Sequence, residues 1–507
     1  MNNSIIILGS NYPAEVFARK TDVGVEIQGQ RNWFWGYKIN SGIHGDGAFI
    51  QWNFENERLE LITDRYGIMP FYYYFDGFDL GFSSSVQNLV KRYSASEIDY
   101  QALSVFLRLG NYIGDSTPFL KIKRIHPFSR YVFDNNGLKI EKYKINVQIC
   151  HLDRDEAIRH YAELFQNSIE RFASVAKKNV VVPLSGGKDS RHILFSLLAT
   201  GRVPDFCITV DDISRKFEQE VSIAKDICAQ CDLRHVTIIR SMSCYDAEIK
   251  KNELTGYSTF DHGLFVSLRE YLDIHCVDFI FDGLAGDVLS QSSFLNRTKT
   301  DYYISREFDA LANEILGDEG YYPRMLSSSL YAKVSREDAI NALVDELKKY
   351  SEYPNPVGQY YFWNRTRRSI SLNPILVLGH NKHVFFPYLD AAVYDFLVSL
   401  PVEYVLEKSF HTMAIACAFP KFKHIPYAST SKKMHISFMF VCKSVIENLF
   451  FVCKINKFNS ATKFNFFLFR SVKVLFLNSY YSVFVNIMKI NIYILKLLQI
   501  SKTHNIK

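Results

Sequence analysis

In the stretch "VVVPLSGGKDSRHILF", residues 180–195, two glycines, a lysine, an aspartate and two serines fill the turn between a β-branched run and an apolar helical pattern. These turn residues bury little apolar surface, but their types suit an anion. Ser185, Gly186, Gly187 and the first helical residues would aim backbone N–H groups at whatever sits there, and the helix opening adds its positive dipole end. Glycine lets the main chain approach an oxyanion closely, so the turn reads as a cradle for phosphate or pyrophosphate. It is not the nucleotide loop of glycine, four residues, then Gly-Lys-Ser/Thr, because the spacing fails. The plain alternative is a glycine turn that joins a strand to a helix. A second stretch, "VDFIFDGLAGDVL" at 277–289, again ends an apolar run in a glycine-rich turn that carries a carboxylate.

The elements around these turns alternate strand and helix. "NVVVPL", "DFCITV", "HVTII" and "VDFIFD" are short apolar runs, and helical patterns cover 192–200, 217–231 and "GLFVSLREYL". Strands buried on both faces with helices between them imply a doubly wound parallel sheet, whose ligands bind beyond the carboxyl ends of the strands. Ahead of this unit, residues 1–146 read as β-rich, with runs such as "SIIILG", "GAFIQWNF" and "FYYYF" between Gly, Asn and Asp turns. Asp153 and Glu156 then make a capping box before a helical pattern, which places a boundary near residue 150. The expected class is α/β, in three parts: a β-rich domain at 1–146, a parallel-sheet domain with added helices at 150–436, and a tail at 437–507 without clear period.

A chain of 507 residues that is 48% hydrophobic can bury more than one core. Its net charge of +6 is uneven: the tail holds ten Lys/Arg against Glu447 alone, which leaves residues 1–436 at −3. A near-neutral body gives no reason to expect a nucleic-acid partner. Nine cysteines without regular spacing, and a start without a signal-peptide pattern, point to a reducing cytoplasm. No run of 18 uncharged apolar residues is present; the best, 474–488, is 15 long, so a membrane span is not expected. The basic tail could pack as helices, make peripheral contact with anionic lipid, or be a divergent end.

"PLSGGKDS" resembles the SGGxDS pyrophosphate loop of the N-type ATP pyrophosphatases, and "VDFIFDGLAGDVL" resembles the second ATP-site loop of asparagine synthetases and β-lactam synthetases. The likeness extends to "LELITDRYGIMPFYYY", "GFSSSVQNLV" and "RIHPFSRYVF", similar to the end of the amino-terminal class II glutaminase domain of asparagine synthetases, and to "VFFPYLDAAVYDFLVSLPVEY" in their carboxyl-terminal part. It covers about residues 40–435. The resemblance implies an ATP-dependent ligase that adenylates a carboxylate, releases pyrophosphate and passes the acyl group to an amine or ammonia. ATP would lie on Ser185, Gly186, Gly187, Lys188, Asp189 and Ser190, with strand-end backbone near Val210 and Gly283 holding the adenosine. Asp189 and Asp287 would hold Mg²⁺ on the phosphates, as two carboxylates at neighbouring strand ends can; a helix-capping role for Asp287 is the alternative. A lysine near the family's carboxyl end corresponds to Lys432 or Lys433 in "IPYASTSKKMHI" and would stabilise charge on the transferring group; a solvated basic pair is the other reading.

Two departures qualify this expectation. The family's glutaminases use an amino-terminal cysteine as nucleophile, whereas this sequence reads Met1-Asn2-Asn3-Ser4 and its first cysteine is Cys150. Residues 1–146 are therefore expected to be a degenerate glutaminase-like scaffold, with nitrogen supplied as ammonia, as the substrate's own amine or by a partner. Where asparagine synthetases place a glutamate and the β-lactam enzymes a tyrosine, two residues after the position of Asp282, this chain has Leu284. Leucine neither takes a proton nor steers an amine, so a different acceptor, or a non-catalytic scaffold, comes into view. Another pyrophosphatase, such as a tRNA thiolase or a sugar amidotransferase, is a further alternative. Smaller signals are "CAQC" at 228–231, read as core cysteines rather than a zinc or redox pair, and His262, which either faces the acceptor pocket or starts a helix.

Overall fold

A period of two sets the strands of the amino-terminal half. In β5 (Gly47–Glu55), Trp52 and Phe54 are buried while Gln51, Asn53 and Glu55 face solvent. The computed structural model describes residues 5–40, 45–211, 217–240, 243–428, 438–456 and 461–504. One antiparallel sheet runs β1 (Ile5–Leu8), β4 (Asn32–Asn40), β5, β6 (Arg58–Thr63), β10 (Ser129–Asp134), β11 (Gly137–Lys142). A second runs β3 (Gly24–Gly29), β2 (Val16–Thr21), β8 (Asp79–Ser83), β7 (Tyr72–Phe75), β9 (Ile122–Arg124). The two meet face to face through aromatic rings: Tyr131 of β10 lies 5.5 Å from Phe82 of β8 and 5.5 Å from Tyr73 of β7. Trp52 stacks on Phe71 at 5.9 Å. Burial of each such side chain contributes about 1.5–3 kcal/mol, and this core runs on without a break into that of the parallel-sheet half.

The next element is the helix Arg154–Val175. Asp153 accepts the Glu156 N–H at 2.9 Å and Glu156 accepts the Asp153 N–H at 3.2 Å, so the expected capping box is formed. The helix covers one face of a wholly parallel sheet in the order β14 (His235–Ile239), β13 (Phe206–Asp211), β12 (Val180–Pro183), β15 (Phe279–Phe281), β16 (His383–Phe385). From β12 the chain steps outward to β13 and β14, then returns to add β15 on the opposite side of β12. The order therefore reverses between β12 and β15, where the sheet opens a crevice at its carboxyl edge. Both glycine-rich turns leave the sheet there.

Aromatic packing and buried arginines help to fix the halves to one another. Tyr37 of β4 packs edge-on against Phe172 and Phe385, at 5.5 and 5.2 Å, and its hydroxyl accepts the Phe386 N–H at 3.2 Å. The π-helical stretch Phe362–Ile370 sends Arg367 to the carbonyls of Ile125 (2.6 Å) and Gly67 (3.3 Å), and Arg368 to that of Gly114 (2.9 Å). Both guanidinium groups are at most 3% exposed, so those carbonyls stand in for water.

Beyond the sheet domain the chain forms the helices Phe438–Asn456, Phe464–Phe476 and Tyr481–His504. The last packs beside the helix Cys244–Leu254. Buried Glu248 pairs with Lys251 at 2.8 Å and with Lys489 at 3.6 Å, and the Glu248 charge raises Lys489 above its ordinary value. Tyr493 donates to the Tyr257 carbonyl at 3.0 Å and its oxygen lies 2.5 Å from that of Tyr112, a residue of the β-rich half. Among the described residues one helical segment, Tyr481–Thr503, is long and apolar enough to cross a membrane, and half of it lies inside the protein.

Candidate nucleotide site

The turn after β12 closes on its own serines. Ser190 Oγ accepts the Ser185 N–H at 3.1 Å, Ser185 Oγ accepts the Gly187 N–H at 3.1 Å, and the two hydroxyl oxygens are 3.3 Å apart. Gly186 is pressed against residues 425–428: its carbonyl accepts the Ala428 N–H at 3.0 Å, and a Cβ on Gly186 would lie 2.7 Å from that of Ala428. Arg191 backs the contact by donating to the carbonyls of Ile425 (2.9 Å) and Pro426 (2.8 Å), with its guanidinium 4.2 Å from the Tyr427 ring centre. The helix Asp189–Ala199 starts inside this turn, and no side chain caps its amino end. Its first N–H groups are thus the donors a bound anion could satisfy.

The second turn touches the first through glycine. A Cβ on Gly283 would lie 3.0 Å from the Asp189 Cβ, and one on Gly286 would lie 2.6 Å from the Asp189 carboxyl carbon. Asp282 donates its N–H to Phe385 at 3.0 Å and accepts the Leu284 N–H at 2.9 Å. Three carboxylates therefore gather at the reversal of strand order. Burial pushes Asp189 up to about 7, although Gln291 donates to its Oδ1 at 2.8 Å and Lys188 is near. Burial and the neighbouring Asp189 charge push Asp282 and Asp287 each up to about 6. Asp287 is the more open, with 40% of its side chain exposed against 21% for Asp189, and Arg365 stands 3.9 Å away.

Among the described residues no group of three or more His, Cys, Asp or Glu side chains converges to hold a metal by itself. Mg²⁺ does not need one: it takes one or two carboxylates and completes its shell with phosphate oxygens and water. Desolvated carboxylates beside the uncapped amino end of the helix Asp189–Ala199 fit that arrangement, because a divalent cation would offset the burial that now holds their proton affinity high.

Behind Asp189 lies a neutral polar layer. His411, fully buried, has Nδ1 2.8 Å from Ser290 Oγ and 3.3 Å from Asp189 Oδ1, and Nε2 3.1 Å from His192 Nδ1 and 3.3 Å from the Tyr388 hydroxyl. Tyr388 also donates to the Asp189 carbonyl at 3.2 Å. Burial, aided by Lys188, drives His411 down to about 3, and burial drives His192 well below its ordinary value, so both rings are neutral. Sequence reading missed this layer: His192 lay inside the quoted turn without a role, and nothing in the spacing of Gln291, Tyr388 or His411 marks them.

The residues expected at the site fall as follows. Ser185 to Ser190, with Gly186, Gly187, Lys188 and Asp189 between them, form the first turn, and Gly283 and Asp287 belong to the turn it touches. Val210 lies near the end of the neighbouring strand, two residues beyond Ile208, which accepts the Leu184 N–H at 2.8 Å. Lys188 reaches the Lys408 carbonyl at 3.4 Å, and burial lowers its proton affinity. Lys432 and Lys433 lie outside the described residues. Leu284 is buried. His262 is held at φ +81° with Nε2 3.0 Å from the Ser369 carbonyl, and no side-chain cap forms on the turn it precedes. Cys228 packs against Cys207, whose thiol it pushes up, while His235 turns to Thr209 Oγ1 at 2.8 Å. All these cysteines are free, as core residues are. A cavity of about 840 Å³ lies apart from this site, at the junction of the halves between Phe128, Tyr143, Tyr353 and Trp363.

Known proteins match both halves. The signature of a glutamine amidotransferase domain fits residues 11–144, beginning upstream of the point near residue 40 where the motifs became readable. The chain is similar to asparagine synthetase (glutamine-hydrolyzing) 3 of Bacillus subtilis (strain 168), 30% identical over 71% of this chain and 62% of that protein. It is also similar to asparagine synthetase (glutamine-hydrolyzing) 1 of the same organism, 25% identical over 42% of this chain and 33% of that protein. The chain thus spans 62% and 33% of the lengths of these relatives. An antiparallel β-rich half that carries the glutamine amidotransferase signature is followed by a parallel sheet that opens between β12 and β15, and across this arrangement the chain is similar to asparagine synthetases.

Proposed function

We propose that this protein is an ATP-dependent, AMP-forming carbon–nitrogen ligase that joins a small-molecule carboxylate to an amine or to ammonia. The observation that carries the reading is the meeting of two glycine-rich turns at the reversal of strand order, where Asp189, Asp282 and Asp287 gather beside uncapped N–H groups. Ser185, Ser190 and the amides of Gly186 and Gly187 would hold phosphate oxygens, and Lys188 would add positive charge as pyrophosphate leaves. The strand-end backbone near Val210 and Gly283 would flank the adenosine. Asp189 and Asp287 would hold Mg²⁺, which shields the phosphate charge and aligns the leaving group. A substrate carboxylate oxygen attacks the α-phosphorus, the bond to the β-phosphate oxygen breaks, and pyrophosphate departs. The amine nitrogen then attacks the acyl carbon, AMP leaves with the C–O electron pair, and the nitrogen loses a proton. Two reactants held in line need mainly positioning.

Residues 11–144 contain no cysteine. These residues therefore supply no thiol for glutamine hydrolysis, and we take the nitrogen donor to be a free amine or ammonia in the cytoplasm. Buried Leu284, which offers no proton acceptor, favours an acceptor that arrives already nucleophilic, and it equally favours a second reading as a non-catalytic, synthetase-like scaffold. Carboxylate-dependent exchange of labelled pyrophosphate into ATP separates the two. Exchange with at least one carboxylate of a broad panel, lost in Asp189→Ala, is the expected result; no exchange with any of them would refute the ligase.

A further inference from the structure

The helix Phe464–Phe476 buries Phe467, Ser471 and Val474 and leaves a different side uncovered. Phe464, Leu468, Phe469, Val472 and Phe476 are 38–82% exposed, and their spacing places them along one side of the helix. The helix Phe438–Asn456, packed beside it, likewise exposes Met439, Ile446 and Phe450, each at least 66%. Single exposed apolar residues are ordinary, but a run of phenylalanines along one helix is not.

Charge accompanies this apolar side. At the start of the helix Phe464–Phe476 a groove of about 610 Å³ is lined by Arg324, Lys463 and Arg470 together with Phe464, Phe466 and Phe469, and by no carboxylate. Arg470 is fixed 5.1 Å from the ring centres of both Tyr321 and Phe466 and donates to the Tyr480 hydroxyl at 2.6 Å; Lys463 donates to the Pro323 carbonyl at 3.2 Å. Lys473 lies over the Tyr480 ring at 4.6 Å. The surrounding segment 437–507 carries ten basic residues against one acidic residue.

We infer that the helix Phe464–Phe476 docks on an anionic phospholipid surface, with Phe464, Phe469, Val472 and Phe476 entering the acyl boundary and Arg324, Lys463 and Arg470 receiving headgroup phosphates. Large aromatic side chains beside cations, without interspersed carboxylates, match an interface that is apolar below and negative above. The helix Tyr481–His504 ties this surface to the enzyme, since Asn491 and Tyr493 are fully buried and Lys489 is paired with Glu248. That burial also argues for lying on the membrane rather than crossing it.

The test is flotation of the full chain with vesicles of equimolar phosphatidylglycerol and phosphatidylcholine, against vesicles of phosphatidylcholine alone. The protein is expected to float with the anionic vesicles and to be released by high salt. Arg324→Gln with Lys463→Gln should weaken binding about tenfold or more, since each surface cation contributes about fivefold. Phe469→Asp with Phe476→Asp should abolish binding while melting at the wild-type temperature, because both side chains are exposed. Equal flotation with both vesicle types, wild-type flotation of the Asp variant, or no flotation would overturn the inference. So would resistance to salt and alkaline extraction, which would assign the contact to a crossing helix. A dimer dissolved by the Asp variant without any flotation would assign the face to a second copy of the chain.

Discussion

Asp189→Asn should stabilise the nucleotide-free protein while removing its reaction with ATP. Folding raises the Asp189 carboxyl from 3.8 to about 7, chiefly by burial. The sign follows from which form folding disfavours: the ionised form is penalised, so the penalty is absent below the unfolded value, grows as pH rises and is complete above the folded value. At about 1.4 kcal/mol per tenfold change in proton affinity the penalty at pH 8 is at most about 4 kcal/mol. About one fifth of the side chain remains exposed, and we take about 2–3 kcal/mol as the working figure. Asparagine keeps the shape, and its carbonyl still accepts from Gln291. With an unfolding entropy of about 2 cal/mol/K per residue over 507 residues, the gain is about 2–3 °C in melting temperature. Melting of both forms without nucleotide, at pH 5 and pH 8, measures it, and exchange of labelled pyrophosphate reads the loss of function on the same preparations. A variant no more stable than wild type at pH 8, or one whose advantage is the same at both pH values, would refute the electrostatic account of the site.

Other expectations are independent of that one. Gly286→Ala would drive a Cβ to within 2.6 Å of the Asp189 carboxyl carbon, so pyrophosphate exchange should be lost while circular dichroism keeps the wild-type spectrum. His411→Ala leaves His192, Ser290 and Asp189 without a shared partner; it should cost about 1–3 kcal/mol in denaturant titrations and raise the Mg²⁺ concentration needed for half-maximal exchange. Glu248→Gln removes the counter-charge of buried Lys251 and part-exposed Lys489 and should cost about 3 kcal/mol, read from the urea midpoint, with Lys489→Met added to it recovering part of the loss. Tyr493→Phe removes the bridge to Tyr112 and Tyr257 and should cost about 1–3 kcal/mol.

The strand, turn and helix at residues 180–199 were legible because β-branched run, glycine pair and apolar period change abruptly there. The helix nonetheless begins at Asp189, before the apolar pattern at 192, because the Ser185–Ser190 contacts close the turn early. The tail looked aperiodic for a physical reason: the helix Tyr481–His504 meets Tyr112 of one half and Glu248 of the other, so its apolar residues need not keep to one stripe. The layer behind Asp189 was invisible because His411 follows His192 by 219 residues, and one histidine leaves no pattern.

Arg367 and Arg368 carry one more consequence. Their guanidinium groups are solvated by carbonyls of Gly67, Gly114 and Ile125 instead of water, which makes the β-rich half an internal solvent for the helix beside the nucleotide crevice. A gene shortened to begin after residue 150 would therefore encode a sheet domain whose two arginines lose their carbonyl partners and open an otherwise buried face to water. Selection for the fold of the sheet domain alone would then be enough to preserve the amino-terminal half across generations, whatever chemistry that half keeps or loses.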